Sequence, residues 1–199
     1  MYKIILTLIL SVMVMTSCSS NRAFTKGEYT DPDRVILLDD RYNESDMKIM
    51  ADALVDSLMK HSIITSPKTP PVFQVERVVN STSEHIDMTS LTDKIRTALI
   101  KSGKVQFHDK GERETLSEEY DYQNKSGNVS KTTAKEKGHQ VGSDYILTGD
   151  FSSNVQELGA REVIYYKLTL KATDIKTGII SWTDEKEIKK LFKKRSYAM

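Results

Sequence analysis

The side chains able to do chemistry are few and poorly spaced for it. Four histidines, His61, His85, His108 and His139, share no metal-ligand spacing such as a helical i, i+4 pair. No serine sits in a G-x-S-x-G elbow, and neither G-x-G-x-x-G nor a P-loop occurs. Asp39-Asp40 and Glu118-Glu119 are adjacent acidic pairs. Neighbours in sequence point apart on a helix or strand, so these read as solvated carboxylates rather than an acid–base couple. The expectation is a protein with no catalytic group, cofactor, metal or small-molecule substrate.

The remaining reactive group is the single cysteine, Cys18. Lys3 supplies a positive n-region and Ile4 to Val14 an apolar stretch too short to span a bilayer, so residues 1–17 read as a signal peptide. Met15-Thr16-Ser17-Cys18 resembles a bacterial lipobox, with Met15 where leucine is more usual. A lone thiol in an exported protein has no disulfide partner, whereas a lipobox requires one cysteine at this place. Cys18 is therefore expected to carry the lipid, and several acyl chains together give stable anchoring. Ser19, not aspartate, follows it. By resemblance to bacterial lipoproteins, this favours the outer membrane, facing the periplasm.

Once Lys3 leaves with the leader, 28 basic residues face 28 acidic ones. That balance has no electrostatic footprint for nucleic acid. Residues 18–45 are polar and broken by Gly27 and Pro32, which reads as a lipidated N-terminus and short tether. Its reach is roughly 90 Å stretched and about 30 Å as a coil. Within it Val35-Ile36-Leu37-Leu38 either stays in the tether or adds a strand or staple to the domain. At the other end Lys189, Lys190, Lys193, Lys194 and Arg195 form a basic tail, with residues 191–199 outside the domain. It is either a solvated end or a site for an anionic surface.

Between these ends, 199 residues with 38% apolar content allow one core-forming domain, expected over 46–190. Met47, Met50, Ala51, Leu54, Val55 and Leu58 recur at helical steps. Pro67, Pro70 and Pro71 stop any helix, and β-branched Val72 to Val79 reads as a central strand. A second helix, capped at Ser90 or a near neighbour, carries Leu91, Ile95, Ala98 and Leu99 and stops at Gly103. Val105 and Phe107 form a short strand. Residues 112–124 suggest a surface helix or a lid anchored by Leu116, Tyr120 and Tyr122, and Thr133 with Glu136 suggests a further short helix ending near Gly138. Tyr145-Ile146-Leu147 reads as a strand buried on both faces. Ile164 to Ala172 alternates with polar partners, turns at Asp174 to Gly178, and restarts at Ile179 to Trp182 as a hairpin. The fold class is α/β: a single layered domain with a small mixed sheet, flanking helices and a C-terminal antiparallel hairpin.

Three segments also carry a resemblance. Asn80-Ser81-Thr82-Ser83-Glu84-His85-Ile86-Asp87 leads into the Leu91 helix and Gly103-Lys104-Val105. Asp144-Tyr145-Ile146-Leu147-Thr148-Gly149 follows, then Tyr166 through Asp174-Ile175-Lys176-Thr177-Gly178 to Trp182-Thr183-Asp184-Glu185. Together with the lipobox, and over residues 46 to about 190, these resemble the LpoB family. The D-x-x-T-G-x-x-x-W hairpin alone is also similar to CsgG-type secretion lipoproteins and to TolB amino-terminal domains. The resemblance implies an outer-membrane lipoprotein that binds and activates a bifunctional penicillin-binding protein without catalysis of its own. The tether here is shorter than the long Pro-rich arm of enterobacterial LpoB. A structural or assembly lipoprotein of the envelope is the other class.

For partner contact, Glu84, His85 and Asp87 are the candidates, because they lie in a loop between a strand and a helix. The competing reading has Asp87 capping the helix and His85 packing locally. Trp182 is expected in the core, with Asp174 and Thr177 setting the turn.

Overall fold

A computed structural model of the chain describes residues 29–193, apart from Asp33 and Leu38. The leader, Cys18, and tail residues Lys194 and Arg195 lie outside the described residues. Described residues 29–35 form one unit with a single turn, in which Arg34 N donates to Asp31 O at 3.1 Å. The described helices and strands fall in the second unit, 36–199. In order these are α1 (Glu44–Lys60), α2 (Ser62–Thr65), β1 (Val72–Asn80), α3 (Met88–Lys101), β2 (Gln106–His108), α4 (Arg113–Lys125), β3 (Tyr145–Leu158), β4 (Arg161–Asp174) and β5 (Ile180–Lys193).

Helix α1 starts where Asn43 and Asp46 satisfy each other's backbone amides. Asp46 N donates to Asn43 Oδ1 at 3.2 Å, and Asn43 N to Asp46 Oδ2 at 3.0 Å. Its Met50, Ala51, Leu54 and Leu58 are buried. Pro70 and Pro71 deliver an extended chain into β1, which lies inside a mixed sheet of order β2-β1-β3-β4-β5. Strand β1 runs parallel to β2 and β3, and β3, β4 and β5 form an antiparallel meander. One face meets α1 and α3 through Phe73, Leu147, Phe151, Tyr166, Leu168 and Leu170, all nearly or fully closed to water. Burying each such large side chain contributes about 1.5–3 kcal/mol. Trp182 belongs to this core.

The β4–β5 hairpin forms as its alternation predicts. Its five-residue loop closes through Asp174 Oδ1, which accepts from Thr177 N at 2.8 Å, and Gly178 takes φ +72°.

Several expectations need correction. Strand β3 is not buried on both faces: Leu147 is buried but Tyr145 and Ile146 are half-exposed, and the strand runs on to Leu158. No helix forms at 133–138, where Thr133 N and Ala134 N both donate to Ser130 O in a turn. Helix α4 buries none of its residues, and of the three expected anchors Leu116 and Tyr122 are exposed while Tyr120 is half-buried. Helix α4 is instead tied to the sheet by polar contacts, Arg113 Nη2 donating to Gln74 Oε1 at 2.8 Å. Ile36 forms no strand; its N–H donates to Ser45 Oγ at 2.9 Å ahead of α1. Lys190 is not in a solvated tail, since β5 continues to Lys193 and buries it.

Candidate partner-binding surface

Strand β1 ends at Asn80, whose side chain ties the following loop into a knot. Its Nδ2 donates to Glu84 O at 2.9 Å, and its Oδ1 accepts from Thr82 N and Thr82 Oγ1 at 3.0 and 2.8 Å. Ser81 N donates to Phe151 O at 2.7 Å, extending the link to β3. The loop is thus held by short polar side chains that favour their own backbone over a ladder.

The three sequence candidates lie together here with different roles. The Glu84 carboxylate turns inward, accepting from Tyr42 N at 3.2 Å and from the Tyr166 hydroxyl. Asp87 caps α3: Oδ1 accepts from Thr89 N at 2.9 Å and Oδ2 from Ser90 Oγ at 2.7 Å. The Ser90 and Thr89 bonds hold its carboxyl below the usual carboxylate range. Ser90 is therefore the cap's donor, not the cap. His85 does not pack locally: it is exposed and lines the rims of both adjoining grooves. One groove, about 630 Å³, lies against Arg41 to Met47. The other, about 730 Å³, lies against Val75 to Asn80 and the start of α3.

Beneath the loop is a buried polar cluster absent from the sequence reading. Lys190 Nζ lies 2.5 Å from Asp46 Oδ2, donates to Arg41 O at 2.6 Å, and sits 5.7 Å from the Tyr166 ring centroid. Tyr42 packs edge-on against Phe151 and Tyr166. Burial raises the Tyr42 phenol, reinforced by the Asp46 charge; burial and then the Glu84 bond raise that of Tyr166. The signal for Lys190 was its parity. Ile188 and Phe192 share its face of β5 and pack against the core.

This arrangement offers an exposed imidazole on a stiffened loop, not a set of reacting groups. Of the other histidines, His61 Nδ1 accepts from Ile63 N at 3.4 Å at the start of α2, and His108 Nε2 meets Val141 O.

Residues 46–188 match the family model described as "Peptidoglycan-synthase activator LpoB". The chain belongs to the LpoB family. By that description LpoB is an activator of a synthase, a regulator rather than a catalyst. Solved structures similar to this chain include the LpoB C-terminal domains of Salmonella enterica and Escherichia coli. Each is 17% identical and covers 72% of this chain and 98% of its own, with TM-scores of 0.45 and 0.46. Lipoprotein GNA1162 from Neisseria meningitidis is 18% identical, covering 61% of this chain and 83% of its own, with a TM-score of 0.38. No curated protein matches. Among the described residues, no helix is long and apolar enough to cross a membrane.

Proposed function

We propose that this LpoB-family protein binds and activates a bifunctional penicillin-binding protein as a non-catalytic regulator, from an acyl anchor on Cys18 in the outer membrane, facing the periplasm. The observation that carries the reading is the family match over residues 46–188. The loop from Asn80 to Asp87 is the contact surface. Glu84 and Asp87 hold its shape, and His85, exposed between two grooves, meets the partner. Activation is then a coupling free energy: the active state of the synthase binds this surface better than its inactive state, so its population rises.

The test mixes the unacylated chain from Ser19 with each bifunctional penicillin-binding protein of the host and follows binding and glycan polymerisation together. Binding with a faster rate supports the activator role. Binding without acceleration moves the protein to the scaffold or assembly class, and no binding to any synthase sinks the reading.

A further inference from the structure

The opposite pole of the sheet has a different character. Strands β1, β2, β3 and β5 begin there and β4 ends there, as a row of backbone bonds shows. Gln106 N donates to Pro71 O at 3.0 Å, Asp144 N to Val72 O at 2.7 Å, and Ile175 N to Asp144 O at 2.9 Å. With neighbouring strands about 4.8 Å apart, the pole is roughly 20 Å across. On it stand three aliphatic side chains of the β4–β5 hairpin, Ile175, Ile179 and Ile180, exposed at 47%, 64% and 51%. Lys176 lies in the same hairpin loop, and Lys104 and Lys68 stand just before β2 and β1, which begin at this pole; all three are exposed. The neighbouring acids are turned into their loops. Asp144 Oδ2 accepts from Val72 N at 2.8 Å and Asp174 Oδ1 from Thr177 N at 2.8 Å.

We infer that this pole docks on an anionic phospholipid surface, the isoleucines entering the headgroup layer and the three lysines meeting phosphates. Lysine at a membrane surface gains from the negative potential, whereas protein interfaces are depleted in lysine and draw on aromatic and arginine anchors. The six side chains named here include no aromatic or arginine. The inference goes beyond the synthase reading and does not require it. Strand β1 separates this pole from the His85 loop by nine residues, about 30 Å, so docking leaves that loop facing away from the lipid.

The test is co-sedimentation of the unacylated chain from Ser19, without the apolar leader, with phosphatidylcholine vesicles containing about 30% phosphatidylglycerol or none. Binding is expected only with the anionic lipid, and to fall at high salt. Lys68→Glu with Lys104→Glu and Lys176→Glu should weaken it at least about tenfold, and Ile179→Ser with Ile175→Ser should weaken it without changing the salt dependence. Circular dichroism confirms that each variant is folded. Equal binding to both vesicle types, or binding indifferent to these variants, overturns the inference. So does retention of an acidic protein by the same lysines with no vesicle binding, which would assign the pole to a protein partner.

Discussion

Lys190 Nζ meets Asp46 Oδ2 at 2.5 Å with the two side chains 3% and 6% exposed, so the last strand and the first helix share a buried ion pair. Removing one member leaves the other charged and buried. Asp46→Ala and Lys190→Ala should each cost about 3–5 kcal/mol, while Asp46→Leu with Lys190→Met should cost far less. Urea midpoints at constant slope measure this, and equal losses in single and double variants would show the pair to be unimportant.

Glu84 and His85 should separate structure from function. Glu84→Gln replaces a carboxylate that accepts from Tyr42 N and the Tyr166 hydroxyl; the expected loss is about 1–3 kcal/mol. His85→Ala, at an exposed position, should change stability by less than about 0.5 kcal/mol yet weaken synthase binding about tenfold. Unchanged affinity in His85→Ala would remove this residue from the contact surface.

Gly149 sits where a side chain has no room. A Cβ there would lie 2.7 Å from Leu170 Cδ2, 3.1 Å from Thr169 O and 3.1 Å from Val78 Cγ2. Gly149→Ala should therefore destabilise by about 1–3 kcal/mol. Gly142→Ala, with nothing within 4 Å, is the control and should be near neutral. Thermal melts of the pair decide the matter.

Alkaline titration should report on Tyr165. Its hydroxyl donates to the Glu187 carboxylate, and that bond pushes the phenol up to about 12. The unfolded value is about 10, so the folded state favours the protonated form. The stabilisation is complete below about pH 10 and disappears as pH rises from 10 through 12. Tyrosinate absorbance should show a step near pH 12 that Tyr165→Phe removes while the still later steps of the buried Tyr42 and Tyr166 phenols stay, and the stability gap between the two proteins should close over the same interval. A gap that persists unchanged above pH 12 would rule the bond out as its source.

The parts of this fold legible in sequence are those where burial and polarity alternate cleanly. Ile164, Tyr166, Leu168, Leu170 and Ala172 announce β4 because every second residue is apolar and the core lies on one side. Strand β3 was only partly visible. Beyond Phe151 it runs through Ser152, Ser153 and Asn154, which are held as a strand by cross-strand pairing to β4 rather than by propensity. Lys190 was misread because charge outweighed parity, and its partner Asp46 lies in a distant helix. Around His85 the order of residues pointed to the loop, but the division of work was hidden. Glu84 takes its role from Tyr42 and Tyr166, neither adjacent to it in sequence.

The contacts between α1 and β5 have a consequence for how the chain comes into being. Besides the ion pair, Ser57 Oγ on α1 donates to the Asp184 carboxylate on β5. A polypeptide emerging amino end first presents α1 long before β5, so the helix waits with its apolar stripe uncovered. The parallel pairing of β1 with β3 imposes a similar wait across α3, β2 and α4. Contacts so distant in sequence form slowly. The chain should therefore stay open until β5 has emerged, and only then lock.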